Sequence, residues 1–394
     1  MRIVTLVGFA FVAFFVSLAA PRAANARPRD PQKAESSATS SKEGPTMSQR
    51  EKAGLRGPVE ECTEERITPP GPSSPAWRMV TTTKYDPDGR IYQRGYVNND
   101  GSKGVESLTY DAEGHLLRTV WDAQGGTRDT IYTYDSRGRL IGITGEPDRS
   151  TIFEYDDQGH KTRIMKSELK APSSGTGNQG SGIQFESDDL VAFPPPGGLV
   201  KTIFNERDQP IESQVYAASG DLTSRLTRTY DAKGRVADSS YVIEDLQILL
   251  SPEDRARLAA DPAASEEMKT QFVKFLGDQR SLFQTSYIYD DEGRVVEKHD
   301  RVGSRETITK ITYNDHGDEM EEIRTTSGDL HPPKDGEGGK SSKAASSPVE
   351  QSNARFSYQY DGFGNWVEKV VSSPSGANEA PKTWSTTRRT ITYY

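Results

Sequence analysis

The 394 residues predict an all-β protein, an antiparallel array of β-hairpin repeats forming one long twisted or curled sheet, a partial shell or barrel, with an inserted α-helical hairpin. Three observations carry this. A Tyr-Asp-x-x-Gly signature recurs along the chain, weaker turn signals fall midway between its copies, and the segments between turns alternate with period two. Only 33% of residues are hydrophobic and there is one cysteine, so a large layered α/β core and a polytopic membrane protein are both excluded.

At the N-terminus, Met1-Arg2 precedes an uncharged stretch from Ile3 to Ala20 and then Ala24-Asn25-Ala26. This is the order of a secretory signal peptide over residues 1–26. The stretch is 18 residues long, so an uncleaved single-pass anchor is the alternative, and membrane contact is expected only through this segment. Residues 27–50 read as a disordered polar leader and 51–394 as the repeat domain. Without residues 1–26 the balance is 47 basic to 58 acidic residues, a net charge of −11. That charge is dispersed along the chain and excludes a nucleic-acid backbone as partner. Cys62 has no partner for an internal disulfide and reads as a small hydrophobe.

Eight copies of the repeat are clear. Tyr85-Asp86 with Gly89, Tyr110-Asp111 with Gly114, Tyr134-Asp135 with Gly138 and Tyr155-Asp156 with Gly159 form the first block. Tyr230-Asp231 with Gly234, Tyr289-Asp290 with Gly293, Tyr313-Asn314 with Gly317 and Tyr360-Asp361 with Gly364 follow. Phe204-Asn205-Glu206-Arg207-Asp208 reads as a decayed copy with Asp208 in the glycine place. Successive tyrosines of the first block lie 25, 24 and 21 residues apart. The aspartate accepts backbone amides where the turn begins, and the glycine supplies the positive φ that closes it. With the midway signals (Asn98–Gly101, Asp122–Gly125, Ala217–Gly220), this spacing leaves strands of about six to nine residues.

Before each turn, pairs such as Leu108/Tyr110, Tyr132/Tyr134 and Tyr358/Tyr360 put large groups on one face, while Thr109, Thr133 and Gln359 point to the other. A stacked tyrosine face supplies contact that aliphatic counts miss. After the turns come apolar pairs, Leu116-Leu117, Leu140-Ile141, Val295-Val296 and Trp366-Val367. Three stretches interrupt the array. Residues 171–198 and 328–353 are Gly-, Ser- and Pro-rich and read as flexible loops. Residues 245–282 contain Ser251-Pro252 and Asp261-Pro262, each a cap residue before a proline, and read as the helical hairpin.

The motif Tyr-Asp-x-x-Gly-[Arg/His/Asn] resembles the YD repeat of the Rhs-repeat superfamily, with a match over roughly residues 80–165, 200–240, 285–328 and 355–394. The resemblance implies a short exported bacterial member. It implies a β-shell or adhesive domain, and carbohydrate as a ligand class. This chain carries about nine copies and nothing long beyond its last strand, so a closed shell around a passenger is not expected.

The turn aspartates each have a structural task, and no catalytic residue, cofactor or metal site is expected among them. The five histidines, His115, His160, His299, His316 and His331, lack metal-ligand spacing. No nucleophile elbow or phosphate-binding loop is present. Trp121, Trp366, Tyr96 and Tyr241 lie off the strict ladder position and are the candidate ligand-binding aromatics, although rings at strand period are core first. The expected function is therefore non-catalytic. It is that of an exported protein, periplasmic or extracellular, that binds or scaffolds at the cell envelope, with a glycan or cell-surface polysaccharide as ligand. The alternatives are a polysaccharide-acting enzyme using sheet carboxylates and a partner of a larger Rhs-type protein through sheet edges.

Overall fold

A computed structural model describes residues 47–71, 74–145, 149–168, 192–245, 260, 281–302, 305–328, 349–374 and 381–394. One helical turn, α1 (Gln49–Lys52), precedes twenty strands. They are β1 (Val59–Thr68), β2 (Trp77–Tyr85), β3 (Ile91–Asn98), β4 (Lys103–Tyr110), β5 (Leu116–Ala123), β6 (Gly126–Tyr134) and β7 (Leu140–Thr144). Then come β8 (Arg149–Tyr155), β9 (Lys161–Ser167), β10 (Leu199–Phe204), β11 (Pro210–Tyr216), β12 (Leu222–Tyr230), β13 (Val236–Ile243) and β14 (Ser281–Tyr289). The last are β15 (Val295–Val302), β16 (Arg305–Tyr313), β17 (Glu319–Ser327), β18 (Glu350–Tyr360), β19 (Trp366–Ser373) and β20 (Lys382–Tyr393).

Each strand pairs antiparallel with the next, and β20 returns to pair with β1, from Tyr393 opposite Val59 to Thr386 opposite Ile67. The sheet is the expected all-β antiparallel hairpin array, and its curl goes on to a closed barrel. Closure satisfies the outermost backbone groups. Each of the described strands has a neighbour on both sides. The signal segment and most of the leader, of the two loops and of the helical insertion lie outside the described residues. Where the boundaries are described they differ from expectation. Ser48 caps α1 with a capping box to Glu51. Ser281 and Leu282 belong to β14, and Glu350–Asn353 to β18.

The tyrosine-aspartate hairpins all turn at one rim and all the other connections at the opposite rim, because the repeat is two strands long. In seven hairpins the glycine amide bonds the aspartate carbonyl, as Gly114 does to Asp111 at 3.2 Å; Gly317 bonds Asn314 and the Asp208 amide bonds Asn205 in the same way. In eight of these nine hairpins the register then shifts at the Tyr position, so that Leu116 lies opposite Tyr110 while Arg118 lies opposite Thr109. This bulge explains the apolar pairs after the turns. One residue points in and the next out, so both packing positions ask for bulk. Only the β8–β9 hairpin runs without it among the described residues.

The tyrosine face is the sheltered one. Along β4, Gly104, Glu106, Leu108 and Tyr110 are buried or half-buried while Val105, Ser107 and Thr109 are exposed, and β6, β8 and β18 alternate with the same parity. In a closed ring side chains converge on the concave side, so this face lines the barrel. Neither face is an apolar band. Arg118–Asp129, Arg355–Glu321 and Arg388–Glu368 pair on the outer face, and Arg94–Glu106, Glu64–Arg389 and Lys298–Asp300 on the inner. A lipid-facing surface would carry such charges at a cost of about 2–4 kcal/mol each near the bilayer midplane. Among the described residues no helix is long and apolar enough to cross a membrane.

Candidate functional site

The rim of tyrosine-aspartate turns is an internally satisfied belt. The strand pairs between neighbouring hairpins stop short of it; the β15–β16 ladder ends at Glu297 opposite Lys310, and β5–β6 at Arg118 opposite Ile131. Except at Tyr360, which donates to Asp318 Oδ2, and at Phe204, which has no hydroxyl, the tyrosine closes the gap. Its hydroxyl donates to the carbonyl two residues after the preceding turn glycine: Tyr110 to Ile91, Tyr134 to Leu116, Tyr155 to Leu140, Tyr289 to Val236 and Tyr313 to Val295, all at 2.7–3.0 Å. Each aspartate accepts the amide and side chain of the residue after its glycine, as Asp135 does from Arg139 at 2.9 and 2.8 Å. That same side chain lies on the next ring: Arg139 is 4.2 Å from the Tyr155 centroid, Arg235 4.2 Å from Tyr289 and His115 4.9 Å from Tyr134. The recurring chemistry of the motif is thus consumed in holding one hairpin to the next.

The belt closes where the segment before β1 meets the last tyrosine-aspartate hairpin and the end of β20. Asn365 stands in the Arg/His place and is 1% exposed. Its side chain accepts the Arg56 amide at 2.6 Å, and donates to the Arg56 carbonyl at 2.9 Å and to the Tyr393 hydroxyl at 2.8 Å. The Tyr394 hydroxyl donates to the Tyr85 carbonyl. Leu55 is buried with Val59, Cys62 and Tyr85. Burial raises the Cys62 thiol to about 11, which leaves it a neutral hydrophobe.

Every connection of variable length leaves from the opposite rim, and there the inner face has two characters. Over β10–β13 it is dry: Val200, Thr202, Ser213, Ser224, Leu226, Tyr241 and Ile243 are almost fully buried. Ala192, from the connection between β9 and β10, packs there against Met165, Val200 and Val215. Over β3–β5 it carries rings and charge. Tyr96 and Trp121 stack with centroids 5.6 Å apart across Gly104, where a Cβ would come within 2.8 Å of both rings. Beside them Arg94 Nε donates to Glu106 Oε2 at 2.9 Å, and Arg128 lies opposite Trp121.

Of the four candidate aromatics, the fold brings Tyr96 and Trp121 together on the inner face near this rim. Trp366 sits elsewhere, in the layer beneath the belt, with the Arg389 guanidinium 3.4 Å from its ring centroid and Tyr358 against its edge. Tyr241 is 3% exposed. Arg94, Glu106 and Gly104 escaped the sequence reading. A glycine inside a strand was the available signal, since it marks a close approach to the backbone. Two grooves, of about 930 and 800 Å³, lie along the belt where it decays, lined among others by Tyr155, His160, Lys161, Asn205 and Glu206. There Phe204 lacks the tyrosine hydroxyl, and Lys161 replaces that link with an ion pair to Asp208 at 2.7 Å. Among the described residues no group of three or more His, Cys, Asp or Glu is placed to hold a metal ion.

Fold and belt together define a closed antiparallel β-barrel built from tyrosine-aspartate hairpins. Residues 76–182 match the family model of the teneurin YD-shell. With that match and the repeat continuing to Tyr360, the chain is a YD-repeat protein. Comparison with curated proteins found no match. Among solved structures, a porin-like protein from Bacteroides uniformis is 9% identical with a TM-score of 0.32, over 86% of this chain and 99% of that one. TcdB2-TccC3-TEV is 13% identical with a TM-score of 0.20, over 78% of this chain and 15% of that one. A LolA superfamily protein from Nitrosomonas europaea is 9% identical with a TM-score of 0.14, over 48% and 79%. Overlaps this loose carry no functional argument.

Proposed function

We propose that this YD-repeat barrel is an exported, non-catalytic binding or scaffolding protein of the cell envelope or exterior, and that it takes a glycan on its inner face at Tyr96 and Trp121. The observation that carries the reading is the division of labour between rims. One rim spends its aromatic rings and charges on hairpin-to-hairpin bonds, while the other gathers the variable connections and a ring pair stacked over Gly104. Aromatic faces suit the apolar faces of sugar rings, and the adjacent Arg94–Glu106 pair offers donors and acceptors to hydroxyls. Export rests on the N-terminal order of Arg2, the apolar stretch and Ala24-Asn25-Ala26.

The test is a glycan array with secreted residues 27–394, followed by titration of the best hit into the parent and Trp121→Ala. Binding by the parent that falls at least tenfold in the variant, with unchanged circular dichroism, supports the reading. An array without saturable binding, or a variant that binds like the parent, overturns it. Export is checked separately. A mature N-terminus at Arg27 supports it, and retention of Met1 in a membrane fraction refutes it.

A further inference from the structure

Charge is divided unevenly over the inner wall. By register, the inner face of β15–β20 and β1–β4 carries Glu64, Glu106, Asp300, Glu319, Glu322 and Glu350 among Arg and Lys side chains. The described inner face of β5–β14 carries no acid; its charged residues are Arg128, Arg149, Lys161, Arg163 and Arg228. Lys161 is answered by Asp208 from a turn. The ring pair of Tyr96 and Trp121 stands on the boundary between the two halves.

Four strands lay out this boundary in rows. The row through Trp121 reads Arg94, Glu106, Trp121 and Arg128 across β3, β4, β5 and β6. Residues directly opposed in an antiparallel ladder stand about 4.5–5.5 Å apart at Cβ, so Arg128 is an immediate neighbour of the indole. The one acid of the row is already answered, with Arg94 Nη2 2.8 Å from Glu106 Oε2. Arg128 is exposed and has neither a hydrogen bond nor an ion pair among the described residues. One positive charge is therefore left over beside the rings. The next row toward the variable rim drops after Tyr96 to Gly104, Ala123 and Gly126, and a Cβ on Gly126 would meet nothing within 4 Å. A ligand entering over this low row meets the two rings with the guanidinium beside them.

Resting on the glycan reading of this site, we propose that it selects acidic glycans, whose sugar rings carry a carboxylate, and that Arg128 is the residue that distinguishes them from neutral ones. A uronic acid keeps an apolar ring face for stacking and adds two carboxylate oxygens at the edge of the ring. The planar guanidinium fork matches those two oxygens and stays charged at every physiological pH. Glu106, held and neutralised by Arg94, is left to accept sugar hydroxyls. A neutral sugar uses the rings and leaves Arg128 to water, so the carboxylate adds a contact that only the acid makes. With no inner acid on the described strands β5–β14, the charge of the ligand meets no like charge on that side.

The experiment prints oligomers of galacturonate, glucuronate and mannuronate beside their carboxyl-reduced forms and probes them with secreted residues 27–394. The best pair is then titrated into the parent, Arg128→Gln, Arg128→Lys and Trp121→Ala. The parent should bind the acid about tenfold tighter than its reduced partner, the difference one charge-assisted contact provides, and the gap should narrow as salt rises. Arg128→Gln should bring the acid down to the affinity of the reduced form, Arg128→Lys should fall between, and Trp121→Ala should weaken both forms. Equal affinity of the parent for the two forms, or a preference that survives in Arg128→Gln, overturns the selection and leaves the glycan reading standing. Saturable binding of neutral glycans alone does the same. No saturable binding of any glycan overturns both. The comparison of two ligands on the parent needs no variant, so it stands even if a substitution impairs folding.

Discussion

Tyr313→Phe isolates the contribution that the belt hydroxyls make to holding the barrel together. The Tyr313 hydroxyl donates to the Val295 carbonyl at 2.7 Å, beyond the point where the β15–β16 ladder ends, and the ring lies under Arg294 at 4.8 Å. Phenylalanine keeps the ring and its cation contact and removes only the bond. A net intramolecular hydrogen bond contributes about 1 kcal/mol, and a half-buried carbonyl left without its donor raises the cost to about 2 kcal/mol. That is a roughly five- to thirtyfold rise in the population of the open junction. Urea unfolding reads the global change and amide hydrogen exchange along β15 and β16 reads the local one. Tyr92→Phe is the control, because Tyr92 is 41% exposed and should change stability by less than about 0.5 kcal/mol. If Tyr313→Phe costs no more than Tyr92→Phe and leaves exchange at the junction unchanged, the hydroxyls do not hold the hairpins together.

Asn365→Ala should cost about 3 kcal/mol, since it strands the Arg56 amide and carbonyl and removes one of the two partners of the Tyr393 hydroxyl, which keeps its bond to Asp361. Limited proteolysis should then cut first within residues 47–58, and a variant as resistant there as the parent would refute the closing role of this residue. The belt aspartates set the acid limit. The Arg139 and Arg235 amides hold Asp135 and Asp231 below the usual carboxylate range, and the His160 side chain does the same for Asp156. A carboxylate depressed in the folded state adds stability above its unfolded pKa, and this is lost as pH falls through the folded value. Circular dichroism should therefore stay constant from pH 8 to 5 and begin to fall only below about pH 4. Loss of structure starting near pH 6 would assign control to other groups.

Much of the fold was legible because its signals are local. Asp and Gly at fixed spacing specify a turn within five residues, and Tyr110 with Leu108 declares a face within three. The apolar pairs were visible too, although Leu116-Leu117 makes sense only once the bulge opposite Tyr110 is seen. The candidate site was half legible. Trp121 and Tyr96 stood out as aromatics off the ladder, but their meeting across Gly104 depends on the register of three strands. Nothing local tells Tyr241, buried on the dry side, from Tyr96.

The amino-acid sequence by itself determined that this is a hairpin repeat with tyrosines on one face, since turn type and period two are encoded in neighbouring residues. Closure was decided by tertiary structure alone. Whether twenty strands stay open or join depends on summed twist and on pairing between segments such as Val59 and Tyr393, far apart in the chain. The meeting of Arg56 with Asn365 and of Tyr394 with Tyr85 makes that pairing specific. Asn365 had looked like a loose variant at the Arg/His place of the repeat. In the folded chain it is the residue that joins the last hairpin to the segment before the first strand.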